Sequence, residues 1–96
     1  MFVVILTYVK PLDVVDQHMK AHVAFLKTCY QAKTFIASGR QVPRTGGIIL
    51  ARAPSKEALA EIMEHDPFVR EGAATYQIIE FKTSQFDPGF KPFVDS

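Results

Sequence analysis

Two histidines and one aspartate have the residue types and spacing that favour acid–base chemistry. His18 and His22 are four positions apart in a segment with helical periodicity, and both fall within its apolar arc. Asp66 lies at the end of a second predicted helix, directly before Pro67. A buried imidazole needs a hydrogen-bond partner, and a nearby carboxylate would orient the ring and stabilise its protonated form. We therefore predict that His22 and Asp66 form a general acid–base pair.

More ordinary structural roles also account for these residues. A core histidine often only bonds a backbone carbonyl, and an aspartate before proline often only ends a helix. The spacing of the two histidines also suits a metal site, but no glutamate precedes His22 as it does in zinc proteases, and Cys29 is the single cysteine. We predict no metal site, and we interpret Cys29 as a small buried apolar residue.

A glycine-rich connection between two predicted strands is the second feature that favours ligand binding. It runs from Ser38 to Gly47 and contains Arg40, Arg44 and three glycines. Arginine together with accessible backbone amides suits a carboxylate or another small anion. A solvated hairpin whose charges serve only solubility fits the same pattern. The sequence has no phosphate-binding glycine motif and no serine nucleophile elbow.

The composition excludes several classes of protein. The chain has 96 residues, of which 48% are hydrophobic and 22% are charged, and this balance is typical of one globular domain. A formal net charge of +1 disfavours general nucleic-acid binding. No apolar run approaches the roughly 20 residues that cross a bilayer, so we predict no membrane association. A single cysteine makes no internal disulfide, and we therefore expect a cytoplasmic protein.

Alternating strands and helices position these residues. The predicted elements are, in chain order, a strand over 2–9, a helix from Asp13 or Asp16 to about Lys33, strands over 34–38 and 46–53, a helix capped by Ser55 that ends at about Glu64 or His65, one helical turn within 68–72, and a strand over 75–82. The order βαββαβ predicts an α+β, ferredoxin-like subunit. Its antiparallel four-stranded sheet carries two helices on one face.

Both faces of the predicted sheet are apolar. In the first strand, Val3 and Ile5 point to one face, whereas Val4 and Leu6 point to the other. A sheet with one face in water alternates apolar and polar residues, and a monomer rarely exposes a large apolar patch. We therefore predict a homodimer through the sheet face. The alternative is a monomer whose phenylalanine-bearing tail, residues 84–96, folds over its own sheet. In a dimer, the same tail is available to clasp the partner subunit instead.

These features, in this order, resemble the YciI-like (YCII-related) family. The residues that carry the resemblance are the helical His22, the Ser38-Gly39 pair, the segment Val42-Pro43-Arg44-Thr45-Gly46-Gly47, the segment His65-Asp66-Pro67-Phe68-Val69, and Glu80-Phe81. The resemblance covers residues 1–83 as one domain and leaves residues 84–96 as a C-terminal tail. It implies a dimeric α+β barrel of ferredoxin-like subunits. It also implies that His22 and Asp66 are the catalytic pair, and it matches Ser38 to a serine near the same pocket.

The sequence departs from the family pattern at two positions. Many relatives have an arginine a few residues before the helical histidine, where this chain has His18. A proline often follows the Ser-Gly pair, where this chain has Arg40. A change at either position could alter the ligand, so the resemblance does not identify the substrate.

The family that the chain resembles has a related dehydrochlorinase, and this relative implies acid–base elimination on a chlorinated hydroxyquinol-type ring. We predict a cofactor-independent lyase or isomerase that transfers a proton on a small, aromatic or partly apolar molecule. The residues predicted to bind this molecule are Ser38, Arg44, His18, Phe25 and Phe68. The alternative is a non-catalytic ligand-binding or regulatory module of the same fold, and an oxygenase is a third hypothesis.

Overall fold

The computed structural model describes residues 1–94 and has the predicted α+β architecture. The strands are β1 (Phe2–Tyr8), β2 (Phe35–Arg40), β3 (Gly46–Ala51) and β4 (Ala74–Glu80). The helices are α1 (Leu12–Gln17), α2 (Met19–Gln31), α3 (Lys56–Met63), α4 (Pro67–Arg70) and α5 (Lys91–Val94), and a 3-10 turn spans Pro88–Phe90. The strands form one antiparallel sheet in the order β2-β3-β1-β4. This order is that of a ferredoxin-like subunit.

The predicted first helix is divided in two. We expected one helix from Asp13 or Asp16 to about Lys33, but α1 ends at Gln17 and α2 begins at Met19. Between them, the backbone N–H of His18 donates to the carbonyl of Val15, three residues earlier, with an N···O distance of 3.0 Å. Val14, Val15 and Asp16 are weak helix formers, so a tighter 3-10 hydrogen bond competes well with the α-helical one here.

The strand boundaries also differ from the prediction by a few residues. β2 continues past Gly39 to Arg40, because Gly39 pairs with Ile48 in the ladder and glycine fits an edge strand. β3 ends at Ala51, short of the predicted residue 53. β4 begins and ends earlier than predicted, over Ala74–Glu80.

The core lies between the helices and one face of the sheet. Phe2, Val4 and Leu6 of β1 are buried on this face, as alternation in a strand requires. Leu59 and Met63 of α3 are fully buried against them in the same apolar cluster. Burying a side chain of this size contributes about 1.5–3 kcal/mol relative to leaving it exposed.

Side-chain caps define the start of two helices. The Ser55 hydroxyl accepts a hydrogen bond from the backbone N–H of Ala58 at 3.0 Å, which confirms the predicted cap of α3. Pro67 was expected to stop this helix, but α3 already ends at Met63 and Pro67 is the first residue of α4. Proline suits this position because its missing N–H has no helical partner there.

The second face of the sheet is apolar and open in the single chain. Val3 and Ile5 are half-buried there, and Ile48 and Ile79 are 38% and 43% exposed. Residues 84–94 leave these side chains open to solvent. In the tail, the ring of Phe93 lies beneath the guanidinium of Arg52. The distance from the guanidinium carbon to the ring centroid is 5.9 Å. No helix within residues 1–94 is long and apolar enough to cross a lipid bilayer.

Candidate active site

A cavity of about 450 Å³ lies between α2 and the helix-bearing face of the sheet. Cavities of this size hold small organic molecules. Its wall is largely apolar, with one histidine, one serine and two arginines. The lining residues are Leu6, Tyr8, Met19, His22, Val23, Leu26, Ser38, Gly39, Arg40, Arg44, Gly47, Ile48, Ile49 and Phe68.

The structure brings the predicted histidine and aspartate together. Nδ1 of His22 and Oδ1 of Asp66 are 2.8 Å apart, and the two residues are 8% and 0% exposed. His22 is on the buried side of α2, as its position in the apolar arc predicted. Asp66 follows α3 and has an extended backbone, with φ −64° and ψ 124°, because Pro67 disfavours helical geometry before it. The chain turn therefore aims the carboxylate at α2.

Asp66 and Phe68 together hold the imidazole in one orientation. Oδ1 of Asp66 also accepts the backbone N–H of Phe68 at 3.0 Å, which caps α4. An ionised carboxylate only accepts hydrogen bonds, so Nδ1 of His22 carries the shared hydrogen. Nε2 takes no part in this hydrogen bond, and His22 is one of the residues that line the cavity.

The second carboxylate oxygen of Asp66 is buried without a hydrogen bond from any residue in 1–94. The negative charge affects the nearby Cys29, whose pKa is raised to about 11 by burial first and by Asp66 second. Cys29 is therefore a thiol at neutral pH and lies in the core. Among residues 1–94, no three His, Cys, Asp or Glu side chains come close enough to ligate one metal ion.

Ser38 is on the cavity wall and is held by a tyrosine. Its Oγ is 2.6 Å from the hydroxyl oxygen of Tyr30, in a hydrogen bond where either hydroxyl is able to donate. The ring of Tyr30 packs edge-on against Phe35, with centroids 6.1 Å apart. A serine hydroxyl has one hydrogen and two lone pairs, so Ser38 keeps hydrogen-bonding capacity for a ligand.

Arg44 lies at the rim of the cavity and is held from two sides. Its guanidinium donates to the carboxylate of Asp16 in α1, and this hydrogen bond is the main reason why the pKa of Arg44 is raised. The guanidinium carbon of Arg44 also lies 5.8 Å from the ring centroid of Tyr8. The contact joins α1 to the connection between β2 and β3.

Two of the predicted ligand-binding residues lie outside the cavity. His18 is half-buried where α1 meets α2 and is not part of the cavity wall; as the N-cap of α2 it has a non-helical backbone, with φ −105° and ψ 2°. Phe25 instead packs edge-on against Phe35, with ring centroids 5.9 Å apart. The other three, Ser38, Arg44 and Phe68, line the cavity.

Sequence reasoning missed several residues of the site, among them Tyr8, Asp16 and Tyr30. Tyr8 lines the cavity, and its position in the alternation of β1, on the side of Leu6, was a usable signal. Asp16 and Tyr30 hold Arg44 and Ser38. No local pattern indicates either contact.

The fold and the site define a ferredoxin-like α+β protein with a buried histidine–aspartate pair beside a small cavity. The chain belongs to the YCII-related family: the sequence profile of the YCII-related domain matches residues 1–82. The resemblance seen in the sequence is thus confirmed.

Among solved structures, the chain is similar to the 5-chloro-2-hydroxyhydroquinone dehydrochlorinase of Burkholderia phenoliruptrix AC1100 in complex with 2,5-dihydroxybenzoquinone. The two sequences are 21% identical, and the match covers 88% of this chain and 96% of that chain with a TM-score of 0.72. This similarity supports the ferredoxin-like fold. No curated protein sequence matches the chain significantly.

Proposed function

We propose that this protein is a cofactor-independent lyase or isomerase that transfers a proton on a small, aromatic or partly apolar molecule. His22 acts as the general base and acid through Nε2, and Asp66 fixes the opposite nitrogen and stabilises the imidazolium. The observation that carries the proposal is the 2.8 Å contact between these two buried side chains beside the cavity. A histidine oriented in this way is suited to repeated proton transfer near neutral pH.

The proposed reaction class needs only proton transfer. In a dehydrochlorination of a chlorinated hydroxyquinol, one hydroxyl loses its proton and the chlorine-bearing carbon is protonated, which gives a keto tautomer. A second hydroxyl then loses its proton, its electron pair forms the second C=O bond, and chloride leaves with the electrons of the C–Cl bond. The products are one quinone-type ring and HCl, without an oxidant or reductant. In an isomerisation, His22 returns the proton to a different atom of the same molecule. The similarity to a dehydrochlorinase favours the first reaction and a planar, oxygenated ring.

The cavity supplies groups that would bind such a ring. Phe68 and Leu26 present apolar surface, which suits the flat faces of an aromatic molecule. Ser38 and Arg44 would bind its oxygens, because a hydroxyl and a guanidinium both donate to carbonyl or phenolate groups. His18 and Phe25 have no direct part in this arrangement.

We also propose that the protein is a homodimer through the open face of the sheet. Val3, Ile5, Ile48 and Ile79 are on this face and are apolar. Covering such a patch with a second copy removes apolar surface from water, which favours association. Residues 84–96 are proposed to act as a tail that clasps the partner subunit.

The test uses 5-chloro-2-hydroxyhydroquinone and measures chloride release together with the quinone product. We expect turnover by the wild-type protein, and a loss of about 10²–10⁴-fold in His22→Ala. His65→Ala is the control, because this histidine is exposed and does not line the cavity. Exchange of solvent deuterium into the unchlorinated ring tests isomerase-type proton transfer in the same variants.

Two results decide between the hypotheses. Full turnover in a folded His22→Ala variant contradicts the acid–base role of His22. Saturable binding of the ring without chloride release or deuterium exchange identifies a non-catalytic ligand-binding module.

A further inference from the structure

Arg40 is on the cavity wall, at the end of the edge strand β2. It pairs with Gly47 of β3, which is level with Leu6 of β1. Ser38, two residues earlier in β2, lies opposite the buried Ile49. Because side chains alternate along a strand, Arg40 is on the same helix-bearing face as Ser38, and it lines the cavity. Gly47, which has no side chain, and Leu6 line the same cavity.

The other ionisable groups at the cavity are already paired. The guanidinium of Arg44 is bound to Asp16, and the carboxylate of Asp66 is bound to His22. Arg40 takes part in neither contact. The side chain of Arg40 is also exposed. Its guanidinium therefore has no carboxylate partner among residues 1–94.

We propose that Arg40 binds an acidic group of the ligand and makes the site selective for small organic anions. This inference rests on the proposed function only in taking the cavity as the ligand site. The ligand would carry its acidic group toward β2 and its ring toward His22. Carboxylates, ionised phenols and hydroxyquinones, which are vinylogous carboxylic acids, share the required chemistry. A guanidinium has five N–H donors in a planar array that matches two oxygens of such a group.

The charge of Arg40 complements the proposed chemistry. An anion bound between Arg40 and His22 has its negative charge held at one end, while Nε2 of His22 reaches the proton to be moved. Arg44 differs from Arg40, because the carboxylate of Asp16 already neutralises it. We therefore expect Arg40 to determine which ligands bind, and Arg44 to contribute less to the choice between anionic and neutral molecules.

The experiment compares two ligands of nearly equal shape and different charge. 2,5-Dihydroxybenzoate is anionic at pH 7, and 2,5-dihydroxybenzamide is neutral. Their dissociation constants are measured by calorimetry for wild type, Arg40→Gln and Arg40→Lys, with Lys56→Gln as a control. Lys56 is an exposed residue of α3 outside the cavity, so the control removes one positive charge elsewhere. Amide chemical-shift changes at Gly39 and Gly47 show whether the ligand is in the cavity.

We expect the wild-type protein to prefer the benzoate by about tenfold to hundredfold, the range for one charge-assisted hydrogen bond. Arg40→Gln should reduce this preference to about threefold or less, Arg40→Lys should keep part of it, and Lys56→Gln should keep all of it. An unchanged preference in Arg40→Gln, or binding of neither ligand, overturns the inference. Anion selectivity that depends on Arg40 in a protein without turnover leaves the inference standing and contradicts the proposed catalysis.

Discussion

The rings of His22 and Phe68 are stacked, with centroids 4.0 Å apart and planes inclined by 12°. The backbone N–H of Phe68 also bonds the Asp66 oxygen that contacts His22. Phe68 thus covers the imidazole with its ring and holds the partner carboxylate with its amide. The position of the imidazole therefore depends on Asp66 and Phe68, which lie two residues apart at the start of α4.

Phe68→Leu should reduce activity more than stability. Leucine fills most of the space in the core, so we expect a loss of less than about 1.5 kcal/mol in the free energy of unfolding. It cannot stack on His22, and the proposed turnover should fall by at least about tenfold. Urea denaturation and the chloride-release assay measure the two effects. Phe35→Leu is the matched control, since Phe35 is equally buried and does not line the cavity. Equal losses of activity in both variants would contradict this prediction.

Asp66→Asn should change which nitrogen of His22 carries the hydrogen. An amide is able to donate toward Nδ1, which then accepts, so that the hydrogen moves to Nε2. Nitrogen-15 chemical shifts of the His22 ring report the tautomer directly. We expect turnover to fall about 10²–10⁴-fold in a protein that remains folded. An unchanged tautomer with full turnover would show that the carboxylate does not orient the ring.

Cys29 should react slowly with iodoacetamide while the protein is folded. Its pKa is raised to about 11, so at pH 8.5 we expect alkylation at least about a hundredfold slower than in the urea-unfolded chain. The folded protein holds the thiol proton of Cys29 to higher pH than the unfolded chain does. The free energy of unfolding should therefore fall as pH rises from the ordinary thiol range through about 11. Asp66→Asn removes the nearby negative charge and should speed the reaction. Equal rates in the folded and unfolded chains would contradict the burial of this thiol.

Gly46→Ala and Gly39→Ala should have very different effects on stability. A Cβ at Gly46 would lie 1.8 Å from the carbonyl oxygen of Leu6, so β3 would have to move away from β1. We expect a loss of at least about 3 kcal/mol, or failure to fold. A Cβ at Gly39 meets no atom within 4 Å, so the free energy of unfolding of Gly39→Ala should lie within about 1 kcal/mol of the wild-type value. Thermal and urea denaturation of both variants provide the measurement, and similar stabilities would refute the predicted close approach of the strands.

Ile79→Lys should separate the proposed dimer into monomers. Ile79 is on the open sheet face, in the edge strand β4 and opposite Val3, and a lysine there would place a charge in the proposed interface. Sedimentation velocity measures the mass, with Glu61→Lys on the exposed side of α3 as the control. A wild-type protein that sediments as a monomer would remove the dimer proposal.

The fold was predictable because its signals are local. The short run of β-branched and aromatic residues in β1 and the Ser55 cap of α3 each indicate one element. His22 was predictable from its place in an apolar helical arc. Asp66 required the family resemblance as well, since an aspartate before proline is also a common helix boundary.

The rest depended on contacts between distant residues or on small energy differences. Arg44 and Asp16 are 28 positions apart, and nothing near either residue indicates their pairing. At His18, an α-helical and a 3-10 hydrogen bond differ little in energy, so periodicity alone does not locate the break. The cytoplasmic location and the dimer stay predictions.

One oxygen of Asp66 makes two contacts, because Oδ1 both caps the start of α4 and bonds the imidazole of His22. Few substitutions are therefore expected at this position during evolution. A relative that has lost the proposed activity still needs a side chain here that caps α4. Descendants with a silent site are accordingly expected to retain an acidic or amide side chain here. The presence of that residue alone will be a poor guide to whether a relative turns over substrate, and the imidazole will be the more informative marker.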